Sequence, residues 1–513
     1  MLDALRRRVA VSHRAVVIFR TWLGIVVLLE LFERFSALRW LYTDAGAFPR
    51  WAVMPPPNVA PALHAACVHA WDGSLEWQYA LIGVQCISAL ALTAGAWPRF
   101  AAAVCWVLHA SSMLRNPQLS FIFDRYLHVL LLLAACMPSD NTRFRASVAT
   151  CALAAQLVLI YVDAGYGKLT SPDAAWSLIA EVGALDTYMR HTPVARFARW
   201  LLGGRALRVA GAATAWLEFT IAPLALMAPT QLTRRCCIAA AVSLHVGIAM
   251  TMRNTVALGG AGIAAWLPLL DGPPPPEDHS AAYGLRARKA ADRKAPPSAA
   301  PTTGFSRAAE ALSALAVCAL ALGSAWHQLS EFGAPACAAT ASDAADLLQS
   351  TLLHNRWNVF TGAEPYVVWE AAPARLEDGS VVDLWRGTDE VAWAVPRGSA
   401  PAIRAGRWRS WPYLAERTPE ADEAFWATLC NEWEARDGRR VISFVFYLLQ
   451  ADVVPARDAL APPPPPADEP DSPPSSAWAG YMPEYGEPRK RRIRQFSCLE
   501  HRVRALDAAK KHG

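Results

Sequence analysis

The residues of this chain best suited to chemistry are ionisable side chains set within or beside long apolar runs. Such a group costs several kcal/mol unless it is paired, hydrated or lining a cavity. Four clusters stand out. Asn116, Asp124 and Arg125 flank the start of one run, where the carboxylate and guanidinium can pair with each other or with neighbouring helices. Tyr161, Asp163 and Lys168 end another, in YVDAGYGKL; Trp216 and Glu218 share a third; His245 lies in a fourth, followed by Arg253 and Asn254. Lysine in an apolar pocket can act as a neutral base near pH 7, which makes Lys168 the sharpest candidate. Gly165 and Gly167 let the backbone bend or approach another helix, as a pocket wall requires and as ordinary helix packing also allows. Each cluster has a plain structural reading as well: an ion pair, a packing histidine, a snorkelling lysine. Their number in one chain favours a site, with Lys168, Asp124 and His245 as catalytic residues and Asn116, Arg125, Tyr161 and Asn254 binding a cofactor. No Cys/His spacing suits a metal.

The elements that must position these residues are membrane helices. Hydrophobic residues make up 54% of the 513-residue chain and charged residues 18%, and the charges avoid a series of span-length apolar runs. Nine spans are expected, near 15–34, 77–95, 99–114, 121–137, 146–165, 208–228, 236–252, 255–270 and 307–327, a count good to about one. Several are short enough to imply tilting or burial within the bundle. Arg6, Arg7, Arg8 and Arg14 place the N-terminus in the cytoplasm. Glu30, Glu33 and Arg34 end the first run where a signal-peptide cleavage site would need small residues, so that helix is retained. The net charge of +5 is small and forms no stripe suited to phosphates, which argues against nucleic acid as a partner.

The expected fold is therefore a polytopic α-helical membrane bundle of 8–9 spans with a small, mainly β (α+β) extramembrane C-terminal domain. Residues 1–271 form the transmembrane domain, 272–304 a disordered basic and Pro-rich linker, and 305–328 a final span. Residues 340–455 form the extramembrane domain, on the side opposite the linker, and 456–513 a disordered Pro-rich and basic tail. Strands are expected at Tyr366–Glu370, Val381–Trp385 and Val391–Val395, with a Glu377-Asp378-Gly379 turn between the first two. A helix from Pro419 to Ala435 and a strand from Val441 to Leu449 complete the domain. Of the eleven cysteines, those in the spans read as small buried hydrophobes. Cys430 is expected to form any disulfide, with Cys67 or Cys337, the three that would face an oxidising compartment.

At these residues the chain resembles the horizontally transferred transmembrane (HTTM) domain proteins, which include the vitamin K-dependent gamma-carboxylases. The resemblance covers most of 12–271: FRTWLGIVVLLELFERF, LYTDAGAFPRW with Asp44 and Gly46, DRYLHVLLLLAACMPSDN, AGYGKLTSPDAAW and HVGIAMTMRNTVALGGAGIAAWLPLLD. In the carboxylases the AG-x-x-KL segment carries two adjacent lysines, the second regarded as the base that deprotonates vitamin K hydroquinone. It falls on Lys168, and the first falls on Gly167. A functional histidine of those enzymes falls on Asp124, a departure from their pattern. A looser likeness to the C-terminal region of bacterial members rests on Trp357 and Phe360, Gly379, Arg407 and Trp408, and Cys430 and Trp433.

The resemblance implies a membrane enzyme of carboxylase/epoxidase type, with vitamin K or another quinone as cofactor and Lys168 as base. Its partners would be membrane lipid and a secreted peptide or protein. The alternative is a non-catalytic scaffold or transporter on the same bundle, in which these residues line a path or stabilise helix contacts. Either reading places the chain in a membrane: the endoplasmic reticulum of a eukaryote or the inner membrane of a bacterium.

Overall fold

The computed structural model describes residues 2–51, 67–138, 144–190, 192–252, 255–271, 357, 359–391, 393–395, 419–454 and 485–512, with a few isolated positions between 308 and 352. A short helix α1 (Leu2–Val9) precedes α2 (His13–Phe35) and α3 (Leu38–Tyr42). Then come α4 (Leu75–Ala94), α5 (Pro98–Arg115), α6 (Ile122–Cys136), α7 (Val148–Leu169), α8 (Ala184–Tyr188), α9 (Pro193–Met227), α10 (Gln231–Thr251) and α11 (Val256–Trp266). Hydroxyl caps set many of the starts. Ser12, Ser74, Ser147, Thr192 and Thr230 accept the backbone N–H three residues on, satisfying a donor that the first turn leaves free. α4 stops at Gly95, whose φ of 74° is a left-handed cap, and α5 restarts with Pro98 in its first turn. α9 is broken at Gly203.

The first eight of the nine expected spans are thus helical. Among the described residues five helices, α2, α4, α7, α9 and α10, are long and apolar enough to cross a membrane; the segment from Val256 to Leu269 is apolar but shorter. The expected linker 272–304 lies outside the described residues, as does nearly all of 305–328.

The helices run between two ends. At one, Val11 and Arg145 exchange backbone hydrogen bonds, Ser12 donates to Asp271 (3.0 Å), and Gln231 donates to the Leu270 carbonyl (3.0 Å). At the other, Arg115 donates to the Phe48 carbonyl (2.7 Å), Asn116 to that of Leu41 (2.9 Å), and Asp44 holds Arg50 (2.7 Å).

The C-terminal unit is a five-stranded antiparallel sheet with two helices. Its elements are β1 (Tyr366–Ala371), β2 (Pro373–Leu376), β3 (Val381–Asp383), α12 (Pro419–Asp437), β4 (Val441–Asp452), β5 (Arg489–Ser497) and α13 (Cys498–His512). The long β4 is the centre: β1 and β2 pair with successive parts of one edge, β5 with the other, and β3 extends from β2. Phe444 and Phe446 of β4 pack on Trp426 of α12, and Trp385 stands edge-on to Phe446.

Several expectations need correction here. The Gly379 turn (φ 87°) joins β2 to β3, and β2 itself was not foreseen. The described residues at 391 and 393–395 are not strand. Part of the expected disordered tail, 456–513, is ordered: residues 489–497 are β5 and 498–512 are α13. Five basic side chains make β5 look solvated, but it is held by backbone bonds to β4, which composition does not register. Cys430 does form a disulfide, with Cys498 and not with Cys67 or Cys337, at a Cα separation of 6.1 Å. Cys67 is a free, buried thiol against the Ser111 carbonyl, and Cys337 is outside the described residues.

The disulfide ties α12 to the junction of β5 and α13. Replacing Cys430 and Cys498 with serine should lower the stability of the C-terminal unit by about 2–4 kcal/mol. Denaturant titration followed by tryptophan fluorescence measures this, and unchanged stability would show that the pair is not oxidised in the folded protein.

Candidate functional site

Lys168 lies in the last turn of α7, only 4% exposed. Its environment follows from the glycine one turn earlier. A Cβ on Gly165 would stand 2.3 Å from the Phe219 nitrogen and 2.5 Å from its Cα, so α7 and α9 touch backbone to backbone there. That contact sets Glu218 beside Lys168, Oε2 to Nζ 2.5 Å, as an ion pair without hydrogen-bond alignment. The ammonium also faces the carbonyls of Ala164 (3.5 Å) and Val359 (3.4 Å) and lies 5.3 Å from the centre of the Trp176 ring. In the sequence Glu218 stands out as a carboxylate within an apolar run, with nothing there to join it to Lys168. Trp216, grouped with it, points outward.

Tyr161 is seven residues before Lys168 and so on the same side of α7. Its hydroxyl accepts from Trp266 Nε1 (2.7 Å) and is hydrogen-bonded to His245 Nε2, with both rings edge-on to the phenol. His245 is seated on α11 by another missing side chain, since a Cβ on Gly262 would lie 2.3–2.5 Å from the imidazole. His245 Nδ1 is buried without a hydrogen-bond partner among the described residues.

Asp124 belongs to a different cluster. One carboxylate oxygen takes Arg34 Nη2 (3.0 Å) and the other takes the Phe121 N–H (2.7 Å), which caps α6. Arg34 also binds Glu30 and the Tyr42 hydroxyl, and His109 Nε2 lies 2.9 Å from the Asp124 carbonyl. The expected set is therefore divided. Tyr161 and His245 touch, Lys168 pairs with Glu218, Asp124 pairs with Arg34, Arg125 is half-buried beside Asp124, and Asn116 donates to the Leu41 carbonyl in α3. Asn254 lies outside the described residues. Arg34 and Glu30 went unrecognised because charges at the end of an apolar run read as the end of a helix.

Residues 359–364 lie across Lys168 as a strap leading into β1. Before it, the Trp357 N–H donates to Asp163 (2.9 Å) and the Trp357 ring meets Tyr126 edge-on. Trp176 Nε1 donates to the Phe360 carbonyl (2.9 Å), the Tyr188 hydroxyl to that of Gly362, and the Ala363 N–H to Asp173 (2.8 Å). Burial alone would raise the Asp173 pKa, but hydrogen bonds from Ser171 and from the Ala175 and Ala363 N–H groups outweigh it and hold this carboxylate below its usual range.

A separate open cleft of about 500 Å³ lies between residues 44–51 and α12 and α13. Its charged groups are satisfied by one another: Glu423 holds His501 and Arg504, and Asp44 holds Arg50. Among the described residues no group of three or more His, Cys, Asp and Glu side chains is placed to hold a metal ion. No family model, no curated protein and no solved structure matches the chain.

The α7–α9 contact gives a direct test. Gly165→Ala should push the helices apart and break the Lys168–Glu218 pair, at a cost of about 1–3 kcal/mol for overpacking. Thermal unfolding in detergent reads the loss, and an unchanged midpoint would show that the helices do not meet at Gly165.

Proposed function

We propose that this chain is an integral membrane enzyme of the HTTM and gamma-carboxylase type, with Lys168 as base. The observation that carries the reading is the buried Lys168–Glu218 pair, which shares a face of α7 with the Tyr161–His245 array two turns away. One proton moving from Nζ to Oε2 leaves an amine and a carboxylic acid, both neutral, and frees the lysine lone pair without placing net charge in the apolar interior. Burial keeps water from protonating a basic intermediate.

Membrane placement is supported by the five apolar helices and by exposed aromatics at both ends: Trp97 and Phe100 at one, Phe35, Trp51, Trp71 and Tyr79 at the other. Asp271 sits at the first end and Trp357 at the second. These opposite positions support the reading of 305–328 as a further span, with the C-terminal unit on the side opposite 272–304.

A quinone-type lipid suits the surroundings. Tyr126, Trp176 and Trp357 offer aromatic faces, and Lys168 Nζ and His245 Nδ1, unpartnered among the described residues, offer polar contacts. Bound there, such a cofactor would supply the redox chemistry; the chain would orient it, exclude water and accept a proton at Nζ. Modification of a secreted peptide remains part of this reading through the resemblance alone. The scaffold alternative draws its support from Asp124, whose two oxygens are committed to Arg34 and a helix cap.

Mass spectrometry of lipids extracted from the purified protein should find a quinone, and the turnover it supports should be lost in Lys168→Arg, which keeps the charge but cannot give up its proton at working pH. Full turnover in a folded Lys168→Arg protein would remove the base assignment, and the absence of any quinone would remove the cofactor.

A further inference from the structure

We propose that residues 359–364 are a gate over the Lys168–Glu218 pair, so that reactants reach Nζ only when this strap lifts; the proposal rests on reading that pair as the reactive site. Lys168 is closed in on three sides by the protein interior: Glu218 of α9, its own helix at Ala164, and the Trp176 ring. Its remaining described contact is the Val359 carbonyl. Glu218 and Ala164 belong to packed helices, whereas Trp176, in the loop 170–183, and the strap are irregular chain, and the strap is hydrogen-bonded to Trp176.

Its attachment suits a wall that opens as a unit. It is fastened by separate hydrogen bonds between its backbone and side chains of the bundle end: Trp176 to Phe360, Tyr188 to Gly362, Asp173 to Ala363 and Thr187 to Glu364. Each is worth about 1 kcal/mol net, and none belongs to a sheet ladder or helix that would have to unravel. Phe360 has a φ of 58°, a left-handed conformation that costs a non-glycine residue about 1 kcal/mol or more and is relieved when the strap is free.

Two missing side chains let it close. A Cβ on Gly167 would meet Thr361 Cγ2 at 2.6 Å, and one on Gly362 would meet Asp173 Oδ2 at 2.8 Å. Gly167 is one residue from Lys168, so the position that seats the gate adjoins the group it covers. Apolar contact completes the closure, with Phe360 and Ala363 packed on Trp176, Tyr188 and Leu169.

The same geometry supplies a lock. The Gly167 Cβ position lies 3.5 Å from Thr361 Cβ, within the span of a disulfide. In the full chain in nanodiscs, the double variant Gly167→Cys/Thr361→Cys should protect Lys168 from a small membrane-permeant amine-directed reagent when oxidised, and lose that protection on reduction. Labelling is read by mass spectrometry against the exposed Lys490. Single-cysteine variants taken through the same reduction control for the Cys430–Cys498 bond. Trp176→Phe and Tyr188→Phe, each removing one fastening, should label Lys168 about fivefold faster than the parent chain. Equal labelling of the oxidised and reduced double variant would overturn the gate; should that variant not fold, parental rates in both single variants would do so. Labelling needs no turnover, so a failed gate and a failed base assignment give different results.

Discussion

A lysine ammonium inside an apolar helix bundle is tolerable only with a counter-charge in contact, and the Lys168–Glu218 pair supplies it at the crossing of α7 and α9. Much of the architecture follows from making that crossing close enough. Gly165 removes the side chain that would hold the helices apart, and the same face of α7 then presents Tyr161 to His245 and Trp266. The C-terminal unit depends on the contact too, because its strap and the preceding Trp357 dock on the helix end that the pair stabilises, through Trp176 and the Val359 carbonyl and through Asp163.

Burial gives the pair its chemical interest and its cost. Two charges removed from water lose several kcal/mol of solvation each, recovered only if they meet and other polar groups remain satisfied. The Asp124–Arg34–Glu30 cluster solves the same problem differently, with Arg34 serving two carboxylates and Tyr42 and with Asp124 also capping α6. The first is an isolated pair at a helix crossing, the second a brace between α2 and α6. That contrast decides which of the buried charges is the stronger candidate.

Apolar periodicity and length made the helices legible, and hydroxyl caps such as Ser12, Ser147 and Thr230 mark their starts. Lys168, Tyr161 and His245 were visible as polar residues in apolar runs, but their grouping was not: Glu218 lies 50 residues from Lys168, and only a packed crossing brings them together. β5 escaped notice because strand pairing is a backbone property, and the arginines of β5 carry no apolar alternation. Cys498 escaped with it, since a cysteine in a supposed tail was not counted as a partner for Cys430. The strap was invisible for a similar reason, as side-chain bonds to backbone carbonyls leave no trace in composition.

The central claim, that Lys168 and Glu218 are mutually dependent buried charges, is tested most directly by a double-mutant cycle in the full chain. Lys168→Met and Glu218→Leu should each destabilise the protein by about 3–5 kcal/mol, while the double variant returns close to the parent, because removing one partner strands a charge and removing both does not. Unfolding free energies that simply add would contradict the account and make the two residues neighbours without a bond.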